Sequence, residues 1–147
     1  MKTSLLKLIL ILGLLFVILI SLVILIDPEQ FMRKHRNDQR KTDIENILSL
    51  VEFTDLDSIS PGDIHVIGTC PDKGETGCTI QTTHQQCLDL SQIIDPVPKD
   101  PFSGTDYKTD YYIKKGKYGK ITVGACDPEP DERFGNGTPE LLEVSKK

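Results

Sequence analysis

The sequence predicts an α+β protein in which a long N-terminal helix, transmembrane over its first half, packs on a small antiparallel sheet. Three observations carry this prediction. Apolar residues are crowded at the start: 20 of 56 lie in the first 26 of 147 positions. Further on, Ile44, Ile47, Leu48 and Val51 recur at i, i+3, i+4 and i+7, one apolar face of an amphipathic helix. Near the end, Tyr111-Tyr112-Ile113-Lys114 and Lys120–Cys126 flank a turn at 115–119 that holds two glycines, which is a hairpin pattern.

The first element is an anchor over 1–26. Within Leu5–Ile26 only Lys7, Gly13 and Ser21 are not strongly apolar. Those 22 residues make about 33 Å of helix, enough for a hydrocarbon core of ~30 Å. A cleaved signal peptide would have a shorter apolar run and a small-residue cleavage site. Leu25-Ile26-Asp27-Pro28 offers none, so an uncleaved single-pass anchor is expected. Asp27-Pro28 should bend the helix, because proline removes a backbone donor and crowds the preceding turn. Residues 27–55 are read as the amphipathic continuation of that helix, and two separate helices with a joint are the alternative.

The domain proper is read as 56–126, with a strand at Ile64–Ile67, an irregular Cys- and Gly-rich stretch over 70–83, and a short helix over His84–Ile94. Three prolines in Asp95–Pro101 exclude regular structure there. The final hairpin follows, and the acidic, proline-containing stretch 127–147 reads as a disordered tail. The 71 residues of 56–126 contain 24 apolar ones, a core that is marginal alone. It calls for staples, and Cys70, Cys78, Cys87 and Cys126 are available. Four cysteines allow three pairings, of which Cys70–Cys78 with Cys87–Cys126 is preferred.

Charge and chemistry narrow the function. The formal charge of −5 becomes −7 once Lys2 and Lys7 are set aside, which argues against nucleic acid as a partner. Positive charge counted around the apolar run favours the C-terminal part inside the cytoplasm. The even set of cysteines favours an oxidising compartment instead, and the extracytoplasmic placement is adopted. Cys70, Cys78, His84 and Cys87 could hold structural zinc, but their spacing fits no familiar finger. None of His35, His65 and His84 falls in a hydrolase motif, so no enzyme is expected.

Two stretches resemble bacterial type IV pilin-like proteins and the major pseudopilins of type II secretion. Arg36-Asn37-Asp38-Gln39-Arg40-Lys41-Thr42-Asp43-Ile44 is similar to the ARDAQRKSDL stretch that follows the anchor in such proteins. Val97-Pro98-Lys99-Asp100-Pro101-Phe102-Ser103-Gly104-Thr105-Asp106-Tyr107 is similar to their LPKDPxxGxxY loop. The resemblance spans about residues 5–126. It implies a long helix on a small sheet, a cytoplasmic-membrane location, pilin-like or secretion-system partners, and calcium near the loop with Asp100 and Asp106 as ligands. It also implies that Arg40 and Lys41 pair along the helix with Asp38, Asp43 or Glu45. The processing motif departs from the family. Gly13 is followed by Leu14-Leu15-Phe16-Val17-Ile18, with Ile where the family has Glu, so weak self-polymerisation is expected. The competing expectation is an anchored module that binds a ligand or metal through its Cys- and Asp-rich loops.

Overall fold

The computed structural model describes residues 2–25, 28–51, 56, 59–71, 77, 78, 80–84, 86–130, 139 and 141–146. Two helices and a four-stranded antiparallel sheet make it α+β: α1 Lys2–Leu25, α2 Pro28–Val51, β1 Ile64–Gly68, β2 Lys108–Lys115, β3 Ile121–Ala125 and β4 Glu143–Lys146, in sheet order β1-β2-β3-β4. The bend at 26–27 and the helix end at 52–55 lie outside the described residues. The chain divides into two compact units, Met1–Met32 and Arg33–Lys147.

In the first unit, the apolar side chains of α1 from Leu8 to Leu22 are all exposed. A leucine- and isoleucine-rich run propagates a helix well, yet none of these side chains finds a core within the chain. Among the described residues no helix is long and apolar enough to cross a membrane.

In the second unit, the stripe predicted on α2 is buried: Ile44, Ile47, Leu48 and Val51 lie against Ile67, Tyr111, Ile113, Val123 and Ala125 of the sheet. Strand side chains alternate between faces, so Tyr111 and Ile113 face the helix while Tyr112 joins Val66 and Cys126 on the other face. The hairpin forms in register Lys115↔Ile121 through Tyr111↔Ala125. A short 3-10 turn, Lys117–Gly119, closes it, with Tyr118 at φ 68°.

Two segments of this unit differ from the elements expected of them. No helix forms over 84–94 among the described residues. Instead, the amide of His84 donates to Ile64 O, that of Leu88 to Val66 O, and that of Gly68 to Leu88 O. The segment thus runs along the outer edge of β1, where pairing satisfies backbone groups that a short helix would leave open at both ends. Nor is the tail disordered throughout. β4 pairs with β3 from Gly124↔Glu143 to Ile121↔Lys146, and Leu142 is buried in the helix-side core. The brief alternation Leu142, Glu143, Val144, Ser145 is strand chemistry hidden inside an acidic composition. The rest of that tail, 131–138, 140 and 147, lies outside the described residues.

The Gly124 position in β3 explains how β4 is held. Tyr112, Gly124 and Glu143 are direct neighbours across three strands. The ring of Tyr112 lies over Gly124, where an added Cβ would come within 2.5 Å of its Cζ and Oη. Passing over the bare glycine, the Tyr112 hydroxyl donates to Glu143 Oε1.

Candidate functional site

The stripe of α2 continues toward its N-terminus in charged residues. Counting back in fours from Ile44 gives Arg40 and then Arg36. Arg40 is fully buried although it is a cation. Its Nε donates to Asp100 Oδ2 at 2.6 Å and its Nη2 to Asp100 Oδ1 at 3.0 Å, a two-point guanidinium–carboxylate pair. Its Nη1 donates to Asn37 Oδ1 at 2.7 Å and to Glu129 Oε2 at 2.9 Å. Glu129 also binds Arg36, whose Nε donates to Oε2 at 2.6 Å and whose Nη2 donates to Oε1. Asn37 closes the ring by donating to Glu129 O and accepting from the Glu129 amide. The guanidinium of Arg36 stands 5.2 Å from the centre of the exposed Phe102 ring.

Asp100 is positioned by its own loop. Its Oδ1 accepts the amides of Phe102 and Ser103 at 2.9 and 3.0 Å, an Asx turn. Its amide donates to Thr109 O, so the turn is fastened to the start of β2. Gly104 lets the loop fold this tightly: an added Cβ would lie 2.6 Å from Asp100 N and 2.9 Å from Thr109 O. One turn further along α2 from Arg40, Asp43 accepts a 2.8 Å bond from the Tyr111 hydroxyl of β2.

The charges respond as burial and pairing dictate. Burial alone would lower the Arg40 pKa, but the bonds and charges of Asp100 and Glu129 outweigh it and raise it, so Arg40 stays cationic. Burial pushes Asp100 up, and Arg40 with the two loop amides more than reverses this, holding it below the usual carboxylate range. Glu129 is lowered chiefly by Arg36. Asp43 is raised by burial, against the opposing bond from Tyr111. The Tyr111 hydroxyl is raised by burial and by Asp43, so it remains a donor.

The residues singled out from the sequence fare differently. Asp100 and Asp106 are not brought together on a shared site. Asp100 is spent on Arg40, and Asp106 is exposed and paired with Lys99 Nζ at 2.6 Å, which lowers its pKa. Among the described residues no three His, Cys, Asp or Glu side chains gather as a metal site. All four cysteines form disulfides, but the expected pairing is corrected: the bonds are Cys70–Cys87 and Cys78–Cys126. The reason lies in the edge segment. With His84 and Leu88 bonded along β1, Cys87 sits beside the chain leaving that strand, at Cys70, while Cys126 directly follows β3 on the face where Cys78 packs. Three of the four zinc candidates are thereby oxidised. The fourth, His84, accepts the Gln86 amide at Nδ1 and stacks on His65 with centroids 4.6 Å apart.

The expectation that Arg40 pairs along its own helix is also corrected. A buried guanidinium needs partners that are buried too, and the loop carboxylate of Asp100 supplies the closest of them. Tyr111 is expected from the sequence only as a strand residue, and Glu129 is not expected as a partner of the arginines. The four-residue spacing of Arg36, Arg40 and Ile44 was the available signal, since it puts both arginines on the buried stripe. As a whole the cluster is a clamp: it joins α2, the proline-rich loop and the chain beyond β3, and its charged atoms point at one another. Family models, curated proteins and solved structures give no match to this chain.

Proposed function

We propose that this chain is a membrane-anchored, pilin- or pseudopilin-like structural or accessory subunit, acting by protein–protein packing, with its disulfide-bonded domain outside the cytoplasm. The observation that carries the reading is the Arg40–Asp100 pair. It joins the two separate stretches that carry the resemblance, one on α2 and one in the proline-rich loop. The two stretches lie 60 residues apart in sequence and meet in this buried two-point bond. The Leu5–Ile26 run is the proposed anchor, where exposed leucines and isoleucines would meet lipid or neighbouring helices. Two disulfides suit an oxidising compartment. The clamp supports a structural role, because its acids and bases are engaged by one another and by the backbone.

The test is extraction and crosslinking of the full chain expressed in a bacterium. It should stay in the membrane pellet after alkaline carbonate, and protease added to spheroplasts should reach the domain. A photo-crosslinking residue at Ile18 or Leu22 should give discrete heteromeric adducts with other pilin-like chains. Release by carbonate would overturn the anchor, and adducts absent from every membrane preparation would overturn the assembly role.

A further inference from the structure

The two disulfides cross in sequence. Cys78 lies inside the 17-residue loop closed by Cys70–Cys87, and its own partner, Cys126, is 48 residues away. In an unfolded chain the chance that two cysteines meet falls as roughly the three-halves power of their separation. Cys78 is eight residues from Cys70 and nine from Cys87. It should therefore meet either of them some 12 to 15 times more often than Cys126. Both of these easy bonds are wrong. Taking the three complete pairings together, the same scaling gives the native one to about one molecule in seven. Order of emergence adds to the bias, since Cys70 and Cys78 are both available before Cys87 and Cys126 are made.

Burial protects the native pairing and not the early one. Cys126 is 1% exposed and packs with Val66 and Tyr112, so the native bond completes a closed cluster. A chain holding Cys70–Cys78 cannot bring Cys78 to Cys126, and the face of the sheet opposite α2 stays incomplete. We infer that maturation of this protein requires thiol–disulfide exchange, and that its biogenesis partner is a dithiol isomerase acting before that face closes.

The exchange balances without a net oxidant. An isomerase thiolate attacks Cys70 Sγ of the Cys70–Cys78 bond, forming a mixed disulfide and releasing the Cys78 thiolate. That thiolate attacks Cys126 Sγ of Cys87–Cys126, forming Cys78–Cys126 and releasing the Cys87 thiolate. Cys87 then attacks Cys70 Sγ of the mixed disulfide, forming Cys70–Cys87 and returning the isomerase thiolate. Two disulfides are present before and after. The prior oxidation of four thiols takes four electrons and four protons to two disulfide equivalents of a dithiol oxidase. The inference rests on the extracytoplasmic reading only for where the reaction occurs, because the pairing bias belongs to the chain itself.

The experiment is refolding in vitro, which is independent of location. Reduced, denatured full chain is diluted into detergent with excess diamide, which leaves no thiol for exchange. A parallel sample, desalted to remove the diamide, then receives catalytic dithiol isomerase in its reduced form with a trace of reduced glutathione. Cleavage after Lys73 and before Ile80 separates the cysteines, and mass spectrometry reads the pairs. Without exchange, Cys78–Cys126 should form in a minority near one seventh, with Cys70–Cys78 and Cys78–Cys87 making up the rest. With isomerase it should rise several-fold to become the main species. Predominant Cys78–Cys126 in the diamide sample would overturn the inference, since folding alone would then set the pairing. Failure of the isomerase to raise the native fraction would overturn it as well. Either failure would leave the membrane reading untouched.

Discussion

Among the described residues, fourteen buried apolar residues, from Ile44 on α2 to Leu142 before β4, fill the helix side of the sheet, whereas the buried cluster on the other side is Val66, Tyr112 and Cys126. The two faces solve the same problem with different means. On the helix side burial is ample, and the Arg40–Asp100–Glu129 clamp fixes how the helix and loop meet the sheet. On the other side three side chains at about 1.5–3 kcal/mol each cannot offset the ordering of the strand edges and of the segment around Cys78. There both disulfides supply what burial does not, surrounded by half-buried Ile64 and Ile80. A small domain thus places covalent bonds where its core is thin and charges where its core is thick.

The largest expected effect breaks the thin face. Loop-closure entropy assigns about 3 kcal/mol to the 17-residue Cys70–Cys87 loop and about 4 kcal/mol to the 48-residue Cys78–Cys126 loop. Their sum rivals the whole stability of a typical domain. Reductant should therefore lower the melting temperature by more than about 20 °C, or unfold the domain outright. Circular dichroism with and without reductant reads this, and an unchanged melt would mean that the helix side holds the fold alone.

Next comes the clamp. Asp100→Asn keeps the loop's side-chain acceptor for the Phe102 and Ser103 amides but leaves the Arg40 guanidinium buried with its nearest countercharge gone. A loss of about 3–5 kcal/mol is expected, read by denaturant titration. Asp106→Asn removes the same charge from the same loop, but Asp106 is exposed, and its bond to Lys99 is open to water. That variant should melt with the parent protein. Equal losses from the two substitutions would place the clamp's contribution elsewhere.

A smaller effect is expected where β4 is fastened. Gly124→Ala puts a methyl group where the ring of the fully buried Tyr112 lies. About 2 kcal/mol should be lost, with faster amide exchange in β4 than in β1. Tyr112→Phe keeps the ring and loses the hydroxyl's bonds to Glu143 and Gln81, so it should cost less. If the two variants exchange alike, the bond rather than the packing holds the strand.

The helix side was more legible in the sequence than the disulfide side, for a physical reason. A period of 3.6 residues over Ile44–Val51 and β-formers flanking the two-glycine turn at 115–119 are local signals, and both survived in the structure. Pairing of cysteines is not local. The pairing Cys70–Cys78 with Cys87–Cys126 rests on a short helix over 84–94 that the second bond would tie to the last strand, and the placement of His84 and Leu88 along β1 removes that premise. Residues 143–146 were hidden by composition: one buried leucine and one half-buried valine carry the strand, too few to stand out among acids and prolines. The clamp lay between these cases. Arg36 and Arg40 stood on the apolar stripe, but nothing in the sequence said which carboxylates would reach them.

The smallest expected effect sharpens the helix side through Tyr111→Phe. The ring stays in the core, and the 2.8 Å bond to Asp43 is lost. At neutral pH this bond meets an ionised, half-buried carboxylate, and its removal should cost about 1 kcal/mol. The pH dependence separates it from the clamp. Asp43 has a raised folded pKa, so on acidification the folded state takes up that proton before the unfolded state does. This term stabilises the fold as pH falls from neutral toward about 4. Asp100 and Glu129 have lowered folded values, and their contribution is complete above the unfolded carboxylate range near 4 and lost as pH falls through the folded values. The parent protein should hold its stability down to about pH 4 and lose it steeply below. Tyr111→Phe should differ most at pH 7, and the gap should narrow as Asp43 protonates, because a neutral acid accepts a weaker bond. Denaturant titrations at pH 7, 5 and 4 read the gap directly. A cost independent of pH would detach Tyr111 from Asp43 and leave only the packing of its ring.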